Sequence, residues 1–143
     1  MKIKYKEILQ KNMINVLKDV LKEFSKNIRM NGHHLYITLD TTNKKLIIPN
    51  WLKKKYSKEI TIVIQHEYWN LKIYKEKFNV MLSFNDIKIN LSIPFNSVIS
   101  FTDPYANFGL KIKAQELEVS KIKNEKLNKK NNVIDFSKFK KLN

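Results

Sequence analysis

FNVMLSFNDIKINLSIP, residues 78–94, contains two strand-length runs, Phe78 to Phe84 and Ile87 to Ile93, separated by Asn85 and Asp86. Two runs split by a turn-forming pair predict a β-hairpin, and Pro94 limits any continuation of the second strand. Toward the N-terminus, Asn70 to Tyr74 is a further strand, with Glu76-Lys77 as its turn into the hairpin. Ile60 to Gln65 (ITIVIQ) is β-branched and mostly apolar, which reads as a buried central strand. Trp51 to Tyr56 reads as one helical turn or a loop, and Leu46-Ile47-Ile48 as a short strand ending at Pro49. Leu35 to Leu39 alternates as a strand does until Asp40-Thr41-Thr42-Asn43 breaks it. Toward the C-terminus, Val98 to Phe101 is a strand, Asp103-Pro104 turns the chain, and Phe108 to Ile112 closes the set. Some seven short strands at this spacing predict a mainly β domain, a sandwich or small open barrel.

The flanks have a different character. From residue 5 to about 30, Tyr5, Ile8, Leu9, Met13, Val16, Leu17, Val20, Leu21, Phe24 and Ile28 recur at helical spacings, and Gly32 follows Asn31 where a C-terminal cap would fall. A helix of about 25 residues is roughly 37 Å long, more than so small a domain needs for itself. Its apolar stripe is expected to pack on the domain's own sheet or on the same helix of a second subunit. Beyond Lys113, residues 114–132 are polar and lysine-rich. Apolar residues return in Val133-Ile134-Asp135-Phe136-Ser137-Lys138-Phe139-Lys140-Lys141. Four parts follow: an N-terminal helix over 1–32, a β domain over 33–113, a linker over 114–132 and a terminal motif over 133–143.

The chain has 143 residues, an apolar fraction of 43% and no cysteine. This is enough for one core, and it excludes a disulfide framework or a thiolate metal site. No run approaches the roughly 20 apolar residues that span a bilayer, and the basic N-terminus lacks a signal-peptide apolar region. A soluble, cytoplasmic protein is expected. A net charge of +15 raises nucleic acid as a partner. Yet Arg29 is the only arginine among 28 basic residues, and bidentate recognition of phosphates and guanine edges favours arginine. Lys, Asn and Ile share A/T-rich codons, so compositional drift accounts for the charge without a polyanion.

No catalytic set is visible. His33 and His34 are adjacent and would point to opposite faces of a strand, so they do not readily chelate one metal. Asp40, Asp86 and Asp103 sit at expected turns, where an Asx side chain bonds local backbone. Gly32 and Gly109 are the only glycines, too few for a phosphate-binding loop. The aromatics Trp51, His66, Tyr68, Trp69 and Phe84 either fill the core or present an extended-peptide or base-stacking surface. The terminal apolar cluster reads as a short docking motif on a tether. About 18 flexible residues reach roughly 21–25 Å.

The strings NGHHLYITLDT (31–42), IPNWLKKKYSKEITIVIQHEYWNL (48–71), FNVMLSFNDIKINLSIPFNSVISFTDPYANFGLKI (78–112) and VIDFSKFKK (133–141) resemble the SspB, or stringent starvation protein B, family, most nearly its alphaproteobacterial branch. The resemblance covers nearly the whole chain outside 114–132. It implies an Sm-like open β-barrel behind a long dimerising N-terminal helix, with a flexible C-terminal tail, and a non-enzymatic ClpXP protease adaptor without cofactor or metal. A barrel groove would bind the ssrA degradation tag of stalled translation products, and the tail would dock on the N-terminal domain of ClpX. By similarity the groove involves Trp51, Gln65, His66, Tyr68, Leu82, Phe84 and Leu110. Docking falls to Val133, Ile134, Asp135, Phe136, Phe139 and Lys140, and the homodimer to Ile8, Leu9, Val16, Leu17, Val20, Leu21 and Phe24. Linkers in the family are often acidic and Pro-rich, and this one is lysine-rich. An Sm-like RNA-binding module is the alternative.

Overall fold

A computed structural model describes residues 2–26 and 32–113. The linker over 114–132 and the docking residues from Val133 to Lys140 lie outside the described residues. Helix α1 (Tyr5–Ser25) is followed by β1 (Leu35–Asp40), α2 (Asn50–Lys55), β2 (Glu59–Ile64), β3 (Tyr68–Ile73), β4 (Lys77–Phe84), β5 (Ile87–Pro94), β6 (Val98–Asp103) and β7 (Phe108–Lys111). Two antiparallel sheets result, one in the order β2-β1-β6-β7 and the other β3-β4-β5. The mainly β fold behind an N-terminal helix is as expected, and the barrel is open: no hydrogen-bonded ladder joins the two sheets among the described residues.

The hairpin that anchors the sequence reading forms β4 and β5, paired from Lys77↔Pro94 to Phe84↔Ile87. Asn85 and Asp86 have φ of 53° and 67°. Both central residues of a two-residue turn must be left-handed for its twist to match the strands, and Asn and Asp accept this more readily than other side chains. The inward side chains of β4, Phe78, Val80 and Leu82, meet Ile37, Leu39, Ile62, Ile64 and Phe101 of the other sheet in one core. Each such burial stabilises the fold by about 1.5–3 kcal/mol.

Three expectations need correction. The run at 60–65 is not a central strand: β2 is the edge of its sheet, with Ile60, Ile62 and Ile64 buried and Glu59, Thr61 and Val63 exposed. Its outward Thr and Val are as β-branched as the inward Ile, so composition hides the alternation. Leu46–Ile48 contributes only a single bridge, Ile47↔Ser92. Leu46 and Ile48 fill the core while Ile47 is exposed, and Pro49 ends any further pairing. Helix α1 stops at Ser25, with the Lys26 amide turning back to the Glu23 carbonyl. Its 21 residues span about 31 Å, so the excess length is smaller than expected, and Gly32 does not cap it.

Helix α1 buries Met13, Leu17, Leu21 and Phe24, one stripe at four- and three-residue spacing, and packs on β3. Two polar contacts pin its ends. The Gln10 amide donates to the Ile112 carbonyl at 3.0 Å, and the Tyr68 hydroxyl donates to the Phe24 carbonyl at 2.8 Å, occupying one of the acceptors a helix C-terminus leaves open. Burial pushes the Tyr68 pKa up. Tyr68→Phe should therefore lower stability by about 1 kcal/mol, read as a reduced urea midpoint at unchanged slope.

Gly109 on β7 stands opposite Thr102 of β6. A Cβ there would lie 2.6 Å from the Thr102 Cγ2 and 3.1 Å from the Phe101 carbonyl oxygen. Thr102 is 1% exposed and cannot swing away. Gly109→Ala is expected to cost about 1–3 kcal/mol by overpacking, a drop of several degrees in Tm by calorimetry.

Candidate functional site

The β2 edge carries the feature that matters for function. The Thr41 amide bonds the Lys58 carbonyl at 3.1 Å, which sets the phase of the ladder, because β1 and β2 pair in register from Asp40↔Glu59 to Leu35↔Ile64. In an antiparallel pair, hydrogen-bonded and non-bonded positions alternate. Ile60, Ile62 and Ile64 therefore bond to β1, and the backbone N–H and C=O of Thr61 and Val63 face away from the sheet. A second free edge lies on the other sheet. Strand β3 begins at Tyr68, opposite Leu82, and does not reach the end of β4. The Phe95 amide bonds the Glu76 carbonyl, so by the same alternation Phe84 bonds Ile87 of β5 while the backbone N–H and C=O of Ser83 face away from β5.

Between these edges is a cleft of about 410 Å³, lined by Thr61, Ile62, Val63, Gln65, His66, Glu67, Leu82, Ser83 and Phe84. The turn from β2 to β3 closes one end. His66 there has φ 45°, a left-handed backbone strained for a residue with a side chain, and the Glu67 amide donates to the Gln65 carbonyl. The cleft thus has the unpaired backbone groups of Thr61 and Val63 on one side and those of Ser83 on the other, an apolar floor from Ile62 and Leu82, and a polar end. An extended peptide can add a strand to such an edge, taking affinity from main-chain hydrogen bonds and specificity from its alternate side chains.

Of the groove residues expected from the sequence, Gln65, His66, Leu82 and Phe84 meet at this cleft. Three others lie elsewhere. The Tyr68 hydroxyl is committed to α1, because alternation along β3 turns its ring toward Phe24, with centroids 6.1 Å apart. Leu110 sits on β7, at the opposite edge of the sheet from β2, partly buried against the core. Trp51 is exposed on α2 and outside the cleft lining. Thr61, Ile62, Val63, Glu67 and Ser83 were not foreseen. Their signal is period-two burial along β2, which a reading of that strand as central obscures.

The remaining candidates are placed as follows. His33 Nδ1 is 2.5 Å from Asp103 Oδ2, with the Tyr105 ring edge-on to His33 at 4.9 Å. His34 lies stacked with Tyr36. On α1, Leu17, Leu21 and Phe24 are buried in the chain's own core and Val20 packs against it, while Ile8, Leu9 and Val16 are exposed. No helix among the described residues is long and apolar enough to cross a membrane.

A family model described as Stringent starvation protein B matches residues 7–139. The chain belongs to the SspB family. No curated protein matches it. SspB proteins are proteolysis adaptors, and the general role of this chain is accordingly that of an adaptor to the ClpXP protease. The match runs continuously from α1 through both sheets to residue 139. It therefore covers the SspB-like core, the cleft and most of the terminal motif.

Proposed function

We propose that the cleft between β2 and the end of β4 binds ssrA-type degradation tags of stalled translation products. The tail over 133–143 then docks on the N-terminal domain of ClpX and brings the tagged protein to the protease. The observation that carries this reading is the open backbone of the β2 edge at Thr61 and Val63, facing Ser83 of β4 across a cleft of about 410 Å³. In this reading Gln65, His66, Leu82 and Phe84 contact the tag, and Val133, Ile134, Asp135, Phe136, Phe139 and Lys140 contact ClpX. The adaptor itself performs no covalent chemistry and needs no cofactor.

A homodimer is part of the proposal in reduced form. With Leu17, Leu21 and Phe24 buried at home, the surface left for a second copy is Ile8, Leu9 and Val16, extended by Ile3 and Tyr5. The RNA-binding alternative finds no support at the cleft, whose lining includes neither lysine nor arginine; a polyanion groove needs cations.

The test is a titration of a fluorescein-labelled ssrA-type peptide against the full chain, read by anisotropy. Saturable one-to-one binding is expected, with amide shifts concentrated at 61–67 and 82–84. Absence of binding, or shifts elsewhere, overturns the cleft assignment. Single-stranded RNA titrated at physiological salt serves as the comparison, and tight binding there would favour the alternative.

A further inference from the structure

The chain carries a net charge of +15, yet its cleft is not basic. Among the lining residues Glu67 is the one carboxylate, and no lysine or arginine accompanies it. The neighbouring cation is turned aside. Lys88 stands opposite Ser83 across the hairpin, but its ammonium lies 4.4 Å above the centroid of the Trp69 ring, within cation–π range.

Distance decides which charges a bound peptide feels. At physiological ionic strength exposed charges are screened over about 8 Å. The lysines elsewhere on the surface therefore hasten the approach of an acidic partner and contribute little to discrimination within the cleft. A carboxylate in the lining acts at contact range. The Gln65–Glu67 turn sets where it acts. With His66 left-handed and the Glu67 amide bonded back to Gln65, the three residues lie around one end of the cleft.

We propose that Glu67 sets the charge preference of the cleft: the peptide residue lying against the Gln65–Glu67 turn is basic or uncharged, and an acidic one is disfavoured. This rests on the cleft's being the peptide site. Exposed ion pairs are weak, so the discrimination between a basic and an acidic side chain is about two- to fivefold in affinity at low salt.

The experiment uses the full chain and a set of ssrA-type peptides in which single Lys or Glu substitutions are scanned along the sequence. At one position the Lys peptide should bind about two- to fivefold tighter than the Glu peptide, a ratio that shrinks at 0.5 M salt. Glu67→Gln should bring that ratio to about one, and Glu67→Lys should invert it. A ratio unchanged in Glu67→Gln, or the absence of any discriminating position, overturns the assignment of Glu67. Undiminished binding of the unsubstituted peptide when proline replaces the residue at the open β2 edge (Val63→Pro) places the peptide elsewhere, and the cleft reading then fails together with its charge preference.

Discussion

A chain ending at residue 132 is expected to bind a tagged peptide as tightly as the full chain and to lose all acceleration of ClpXP degradation. The two sites of a tethering adaptor do separate work. One holds the cargo; the other converts a bimolecular encounter between cargo and protease into an intramolecular one. On the proposed reading, a flexible linker of about 18 residues, with a reach of roughly 21–25 Å, would set a local concentration on the order of millimolar. For a substrate far more dilute than that, linkage raises effective capture by about 10²–10⁴. Removing Val133 to Asn143 is expected to abolish this factor entirely, since the proposed function gives docking on the protease to the tail alone. The measurement is the initial rate of degradation of a tagged fluorescent reporter with and without adaptor, alongside peptide anisotropy. Full acceleration by the truncated chain would refute tethering through the tail, and lost peptide binding would show the tail to be part of the cargo site.

Val63→Pro is expected to weaken tag binding by about tenfold or more while leaving the fold largely intact. Val63 lies on the edge strand at a position whose N–H points away from β1, so proline removes no bond from the β1–β2 ladder. Edge positions of this kind are where proline is tolerated within sheets. An added strand needs that N–H. A peptide carbonyl left without its donor, once the bound peptide covers the edge, costs about 1–3 kcal/mol, and the ring obstructs close approach of the peptide backbone. Val63→Ala separates the effects, because it keeps the amide and trims the exposed side chain. It should bind within about twofold of the original. Equal weakening in both variants would assign the effect to the valine side chain rather than to strand addition. A Tm lowered by tens of degrees in Val63→Pro would show that Val63 supports the sheet.

Much of the architecture was legible from local chemistry. The turn at Asn85-Asp86 needs two left-handed residues and has two side chains that tolerate them, so the β4–β5 hairpin follows from neighbouring residues. The apolar stripe of α1 marked a helix for the same reason. Its division of labour was not legible. Leu17 and Val16 are adjacent members of one stripe, yet Leu17 is fully buried while Val16 is 38% exposed, and only the position of β3 beneath the helix separates them.

The cleft shows the same boundary. Gln65, His66, Leu82 and Phe84 came from family likeness rather than periodicity, and they do converge on it. Tyr68 and Leu110 stand in equally suggestive strings but point to α1 or lie on the far edge of the sheet. Sequence alone determined a mainly β domain behind an amphipathic helix, the absence of a thiolate site, and an apolar terminal motif past a polar stretch. Each depends on composition or on spacing between near neighbours. Tertiary structure decided that β2 is an edge, that its free backbone faces the end of β4, and that a carboxylate rather than lysines lines the gap. Edges and gaps arise from pairing between residues distant in the chain, and nothing in ITIVIQ itself records which of its two sides remains unpaired.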